Sequence, residues 1–141
     1  MRKKIVVFII ISVLFILFFP MARKCIVEYS INNCCFVLET TGKKNSESNG
    51  YEVWIDGIIV DGKDVDLSTI ELDEGWGANG RIYSNGDTKY SLKVNLGYKE
   101  SVQIRFIKHP YSGVVDVITE NKNQTIDLFS ETEMTEIYTI E

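Results

Sequence analysis

The chain has 141 residues, with 15 basic and 20 acidic side chains, a net charge of −5 and 45% hydrophobic residues. Residues 23–141 hold 12 of the basic side chains and all 20 acidic ones, a net charge of −8 for that part. A surplus of that sign excludes a nucleic-acid binder and a protein lying flat on an anionic bilayer, since both surfaces would repel it.

The first element is apolar. Arg2, Lys3 and Lys4 lead into Ile5–Phe19, whose only polar member is Ser12, and the chain turns polar again at Arg23 and Lys24. The 18 residues of Ile5–Ala22 span roughly 27 Å as a helix, against a hydrocarbon core of about 30 Å. Lys4 and Arg23 make up the difference by snorkelling. A cleaved signal needs small residues at its cleavage site. Pro20-Met21-Ala22 begins with a proline, and Cys25 follows Lys24 rather than the small residue a lipoprotein requires. The expectation is an uncleaved, single-pass anchor in the lipid bilayer. The basic flank points to a cytoplasmic N-terminus and an extracytoplasmic C-terminal domain.

Residues 23–50 read as membrane-proximal strands and a polar tether. Cys25, Cys34 and Cys35 fall in one window and match no zinc spacing. They are either small buried apolar residues, or Cys25 bridges to Cys34 or Cys35, or one of them takes a lipid or an intermolecular bridge. Two β-prone runs, Cys25–Tyr29 and Cys34–Thr40, pair as a hairpin, or Cys34–Leu38 is the first strand of the main domain. Gly42–Gly50 has no large apolar residue, and it predicts a flexible tether and a domain boundary.

From Tyr51 to Glu141 the punctuation is that of an all-β domain. Asp61-Gly62 and Asn85-Gly86 are hairpin signals. Tyr90–Leu96 and Val102–Phe106 alternate strictly, so Leu92, Val94, Leu96, Val102, Ile104 and Phe106 face a core while Lys93 and Arg105 face water. Gly113–Thr119, Thr125–Phe129 and Glu136–Ile140 supply further strands. Short strands with turn residues between them predict an antiparallel, jelly-roll-like β-sandwich. Pro110 sits harmlessly in the turn His109-Pro110-Tyr111-Ser112-Gly113.

Candidate chemistry is sparse. The acidic run Asp56, Asp61, Asp64, Asp66, Asp73 and Glu74 invites calcium, but its order is wrong for an EF-hand loop and Asp61 belongs to its turn. The sole histidine, His109, has no activated nucleophile beside it in the sequence. No enzyme activity, metal or cofactor is therefore expected. Trp76 lies in a glycine-rich loop, Glu74-Gly75-Trp76-Gly77-Ala78-Asn79-Gly80, with Tyr83 after it and Tyr111 in the His109 turn. Aromatic faces beside Asn, Asp and His suit sugar rings. Trp76, Asn79, Tyr83, His109 and Tyr111 are thus the candidate ligand-binding residues. The structural alternative for Trp76 is that it folds inward and caps one end of the sandwich.

Phe106–Val117 (Phe-Ile-Lys-His-Pro-Tyr-Ser-Gly-Val-Val-Asp-Val) and Thr125–Ser130 (Thr-Ile-Asp-Leu-Phe-Ser) resemble a β-sandwich module of bacterial envelope proteins, often joined to membrane-embedded glycan-assembly enzymes or glycosyltransferases. In that module an aromatic residue precedes Ser-Gly, an alternating strand follows, and an Asp-Leu-aromatic-Ser strand comes next. Val53–Leu67 followed by Trp76 looks like its opening. The resemblance covers about residues 51–130 and has no enzymatic part. It implies a galactose-binding-like sandwich outside the membrane, in contact with envelope carbohydrate. The alternative function is a structural or accessory protein that docks on another envelope protein and binds no sugar.

Overall fold

A computed structural model describes residues 34–140 apart from Tyr98, with side chains from Phe36 onward. The anchor expected over Ile5–Ala22 and the strand expected over Cys25–Tyr29 lie outside the described residues. So do Cys25 and the side chains of Cys34 and Cys35, on which the disulfide expectation rests. Among the described residues no helix is long and apolar enough to cross a membrane.

The described chain is all-β. In order it forms β1 (Cys34–Thr40), β2 (Val53–Val60), β3 (Lys63–Asp64), a 3-10 turn (Leu67–Thr69), β4 (Gly77–Ala78) and β5 (Ile82–Ser84). Then come β6 (Ser91–Gly97), β7 (Val102–Lys108), β8 (Val114–Ile118), β9 (Asn123–Asp127) and β10 (Met134–Ile140). Two antiparallel sheets result, one ordered β6-β1-β8-β9, the other β10-β7-β2-β5-β4 with β3 added to β2. Phe36, Leu38, Leu92 and Val94 of the first sheet share one apolar cluster with Ile55, Ile58, Ile104 and Phe106 of the second. Each of these eight is at most 1% exposed. Full burial of such a side chain is worth about 1.5–3 kcal/mol, so this interior is what holds the two layers as a sandwich. Alternation places it: Leu92 and Val94 point in while Lys93 points out, and Val102, Ile104 and Phe106 point in.

The domain begins earlier than position 51. Strand β1 lies between β6, which it meets from Cys34 to Glu39, and β8, which it meets from Val37 to Thr40. Of the two readings of Cys34–Leu38, the one that makes it the first strand of the main domain is the observed one. Gly42–Gly50, expected as a tether, is packed onto the sandwich. Val114 N–H donates to the Lys43 carbonyl at 3.0 Å and Asn49 N–H to that of Pro110 at 2.8 Å. Ser48 is 4% exposed, and its hydroxyl donates to the Ser112 carbonyl at 2.7 Å. A segment without apolar side chains is held here by its backbone, whose polar groups need partners wherever they are covered.

The two Gly-containing turns part company. Asp61 and Gly62 both have positive φ, 49° and 77°, and join β2 to β3 as a tight hairpin. Asn85-Gly86 does not close a hairpin, because β5 and β6 belong to different sheets. Gly86 has φ +66°, and a Cβ there would stand 1.8 Å from the Tyr51 carbonyl oxygen. The glycine serves a close crossing between layers instead.

Candidate functional site

The outer face of the larger sheet carries a row of aromatic side chains built by register. Trp54 on β2 has Tyr83 on β5 as its neighbour on one side and Ile107 on β7 on the other. These positions alternate with Val53, Ile55 and Phe106, which point into the core. The Trp54 and Tyr83 rings stack, with centroids 5.3 Å apart and planes 25° from parallel. Behind them Tyr83 lies over Gly77, where an added Cβ would stand 2.9 Å from the ring. Ile107 is 3% exposed, although it lies outside the core cluster, and it forms an apolar floor beside Trp54.

The turn after β7 extends the row. His109 meets the edge of Trp54 with centroids 6.3 Å apart, and Tyr111 follows at 6.4 Å from His109. The turn is rigidly tied: Ser112 N–H donates to the His109 carbonyl, Glu52 N–H to that of Tyr111, and Gly113 N–H to that of Glu52. Ser112 is fully buried, and its hydroxyl accepts the His109 N–H at 3.1 Å. The row thus stands on backbone that cannot move freely. Tyr111 is its open end, 53% exposed.

One carboxylate serves two rings. Glu52 Oε2 accepts from Trp54 Nε1 at 2.9 Å and lies 3.7 Å from His109 Nε2. His109 Nδ1 accepts the Tyr111 N–H at 3.2 Å. The other ring nitrogen, Nε2, faces Glu52. The carboxylate has one hydrogen-bond donor on the protein side, Trp54 Nε1, and its side chain is 41% exposed.

Two residues along the same strands, the surface becomes charged. Asp56 takes Arg81 Nε at 3.1 Å and Arg105 Nε at 3.5 Å, and Arg105 Nη2 bonds Asp64. These groups line an open cleft of about 600 Å³, together with Asp66 and Leu67. The other acidic residues have local duties. Asp61 accepts two backbone N–H groups, from Glu100 and Ser101. Asp66 caps the 3-10 turn through Ser68, whose hydroxyl and then amide hold its carboxyl below the usual range. Asp73 accepts the Lys93 N–H at 2.9 Å. Among the described residues no group of three or more His, Cys, Asp or Glu is placed to hold a metal ion.

Of the residues that the sequence singles out, the structure brings together Tyr83, His109 and Tyr111. Trp76 is elsewhere: it is 7% exposed and belongs to the core, with its Nε1 buried and without a hydrogen bond. A glycine-rich loop places it inward as a plug, where its ring offers no face to a ligand. Asn79 is exposed in the turn between β4 and β5, its N–H donating to the Arg81 carbonyl. None of the row's described contacts is to its side chain. Trp54 and Glu52 are the residues that the sequence reading missed. The signal was there in Val53-Trp54-Ile55-Asp56, where strict alternation puts the tryptophan on the polar face. Comparison with protein-family models, with curated proteins and with solved structures finds no match.

Proposed function

We propose that this protein is a non-catalytic binding module that holds neutral envelope carbohydrate outside the cell membrane, to which Ile5–Ala22 anchors it. The observation that carries this reading is the row Tyr83–Trp54–His109–Tyr111 with Glu52 at its centre: apolar ring surface beside a half-exposed carboxylate. Sugars bind to such surfaces by laying C–H faces on rings and giving hydroxyl protons to a carboxylate. The acidic surplus opposes anionic polymers, which favours a neutral glycan. The strand order supports a jelly roll, because the long strands change sheet at every step except β8 to β9, and jelly rolls are recurrent lectin scaffolds.

The test is a glycan array probed with the full chain in detergent, beside Trp54→Ala and Tyr111→Ala. Binding of a neutral oligosaccharide that both substitutions weaken at least tenfold, with unchanged circular dichroism, supports the reading. No bound glycan, or binding indifferent to both changes, rejects it in favour of an accessory protein that docks on another envelope protein.

A further inference from the structure

We propose that the charged cleft beside the aromatic row is a second sugar subsite, so that the ligand is a neutral oligosaccharide of at least two units. One unit stacks on the rings, and the next places a vicinal diol between Arg81 and Asp64. This rests on the reading of the row as a sugar platform and deepens it. The cleft is made by a parting in the larger sheet. Strand β2 pairs with β5 over Val53–Ile55 and with β3 over Ile59–Val60, which leaves its edge open in between. At that point its register against β7 shifts between Ile55 and Gly57, a bulge of the kind that re-aims side chains at binding sites. Asp56 is the extra residue. It stands two positions from Trp54, as Arg81 stands two from Tyr83 and Arg105 two from Ile107. Two residues of a strand cover about 6.6 Å, a step that a ligand of two linked rings spans.

The cleft has hydrogen-bonding capacity to spare. Asp56 holds both guanidiniums by their Nε atoms, that of Arg81 at 3.1 Å and that of Arg105 at 3.5 Å. The second makes no hydrogen bond although it is buried, so this guanidinium is under-bonded where it enters the cleft. Arg105 Nη2 bonds Asp64 Oδ1, and Asp66 Oδ1 takes both groups of Ser68. Among the described residues no protein group takes the Nη atoms of Arg81, Asp64 Oδ2 or Asp66 Oδ2. The side chains of Arg81 and Asp64 are 43% and 67% exposed. Donors in a fixed fork thus face the same cleft as carboxylate acceptors. A hydroxyl both donates and accepts, so adjacent hydroxyls of one ring satisfy the two together, through charge-assisted bonds. Half-buried Val65 and Leu67 add apolar wall, while Ala78 and Gly80 leave room. Charge selects among ligands. Three carboxylates against two guanidiniums disfavour a phosphate or a sugar acid, and the guanidiniums disfavour a cation. A neutral polyol fits both.

The test titrates the full chain in detergent, by calorimetry, with ladders of malto-, cello-, chito- and galacto-oligosaccharides from one unit to four. In at least one ladder, affinity should rise at least tenfold from one unit to two or three. Arg81→Lys, which keeps the charge but loses the fork, and Asp64→Asn should remove that gain while the single unit binds as before. Ala78→Phe, which fills the cleft without touching its charges, should do the same. Trp54→Ala should weaken every length, and circular dichroism should be unchanged in all four variants. Binding that needs Trp54 but is indifferent to length, or a gain that survives the three cleft variants, overturns the subsite and leaves the aromatic row as the whole site. No binding by any ladder at millimolar concentration, or binding that Trp54→Ala leaves intact, rejects the row as a sugar platform and the joined site with it.

Discussion

The guanidinium of Arg105 lies across the main chain of Gly57, so closely that a Cβ there would stand 2.5 Å from Nη2. Gly57 follows a shift in the β2–β7 register after Ile55. The missing side chain lets one arginine reach both Asp56 and Asp64. Arg105 faces outward as its alternation requires, but its side chain is only 26% exposed. Arg105→Ala should therefore cost about 1 kcal/mol, the upper end for ion pairs of this exposure, and less in high salt. Phe106→Ala, one residue away and fully buried, should cost about 3–5 kcal/mol. Gly57→Ala should displace the guanidinium, so that with Arg105→Ala the two costs fall short of additivity. Urea unfolding of the four variants at two salt concentrations measures all of this.

Removing residues 1–50 should destroy the fold. That fragment lacks β1, with Phe36 and Leu38 buried from the middle of its sheet. Losing either side chain alone costs about 2–5 kcal/mol, against a total stability of about 5–15 kcal/mol. Residues 34–141, which form one compact unit, should unfold cooperatively on heating, and residues 51–141 should show no cooperative transition by circular dichroism.

The two tryptophans should separate stability from binding. Trp76→Ala empties a core site and should cost about 3–5 kcal/mol, while the variant that remains folded binds glycan as before. Trp54→Ala removes a half-buried ring from the outer face and should cost less, while weakening glycan binding at least tenfold. Thermal melts and array titrations on the same preparations distinguish the two.

Acid should weaken the β7–β10 contact. The hydrogen bond from Lys108 holds the Glu136 carboxyl below its ordinary value of 4.5, with burial opposing. The folded value lies below the unfolded one, so this contribution is present above about pH 4.5 and is lost as the pH falls through the folded value. Burial opposes the charge on Lys108, but its bond to Glu136 and the neighbouring charges raise it above 10.5. Its contribution is present below that pH and lost above the folded value. With side chains 17% and 42% exposed, the pair is worth under about 1 kcal/mol. Glu136→Gln should be less stable than the unaltered chain at pH 7 and equal to it near pH 2, measured by urea midpoints.

Local pattern made much of the domain readable. Alternation in Tyr90–Leu96 and Val102–Phe106 marked the inner residues of β6 and β7, with Leu96 only partly buried, because a pleated strand sends successive side chains to opposite faces. Asp61-Gly62 marked its hairpin because few residues accept positive φ. Trp54 obeyed the same alternation, yet a residue on an outward position declares only its direction. That it stands between Tyr83 and Ile107 depends on strands far away in sequence.

What the sequence by itself determined is therefore local: the all-β character of the described residues, the inward faces of their main strands, one tight hairpin, and the His109–Gly113 turn. The tertiary structure alone decided that Cys34–Thr40 is a central strand, that Gly42–Gly50 is pinned rather than free, that Gly86 serves a crossing, and that Trp76 is core while Trp54 is surface. Each of those depends on contacts between residues distant along the chain. A glycine-rich loop can turn a tryptophan either way, and a polar segment can hang free or be tied down. The choice falls to whichever distant backbone and cavity the closed sandwich brings within reach.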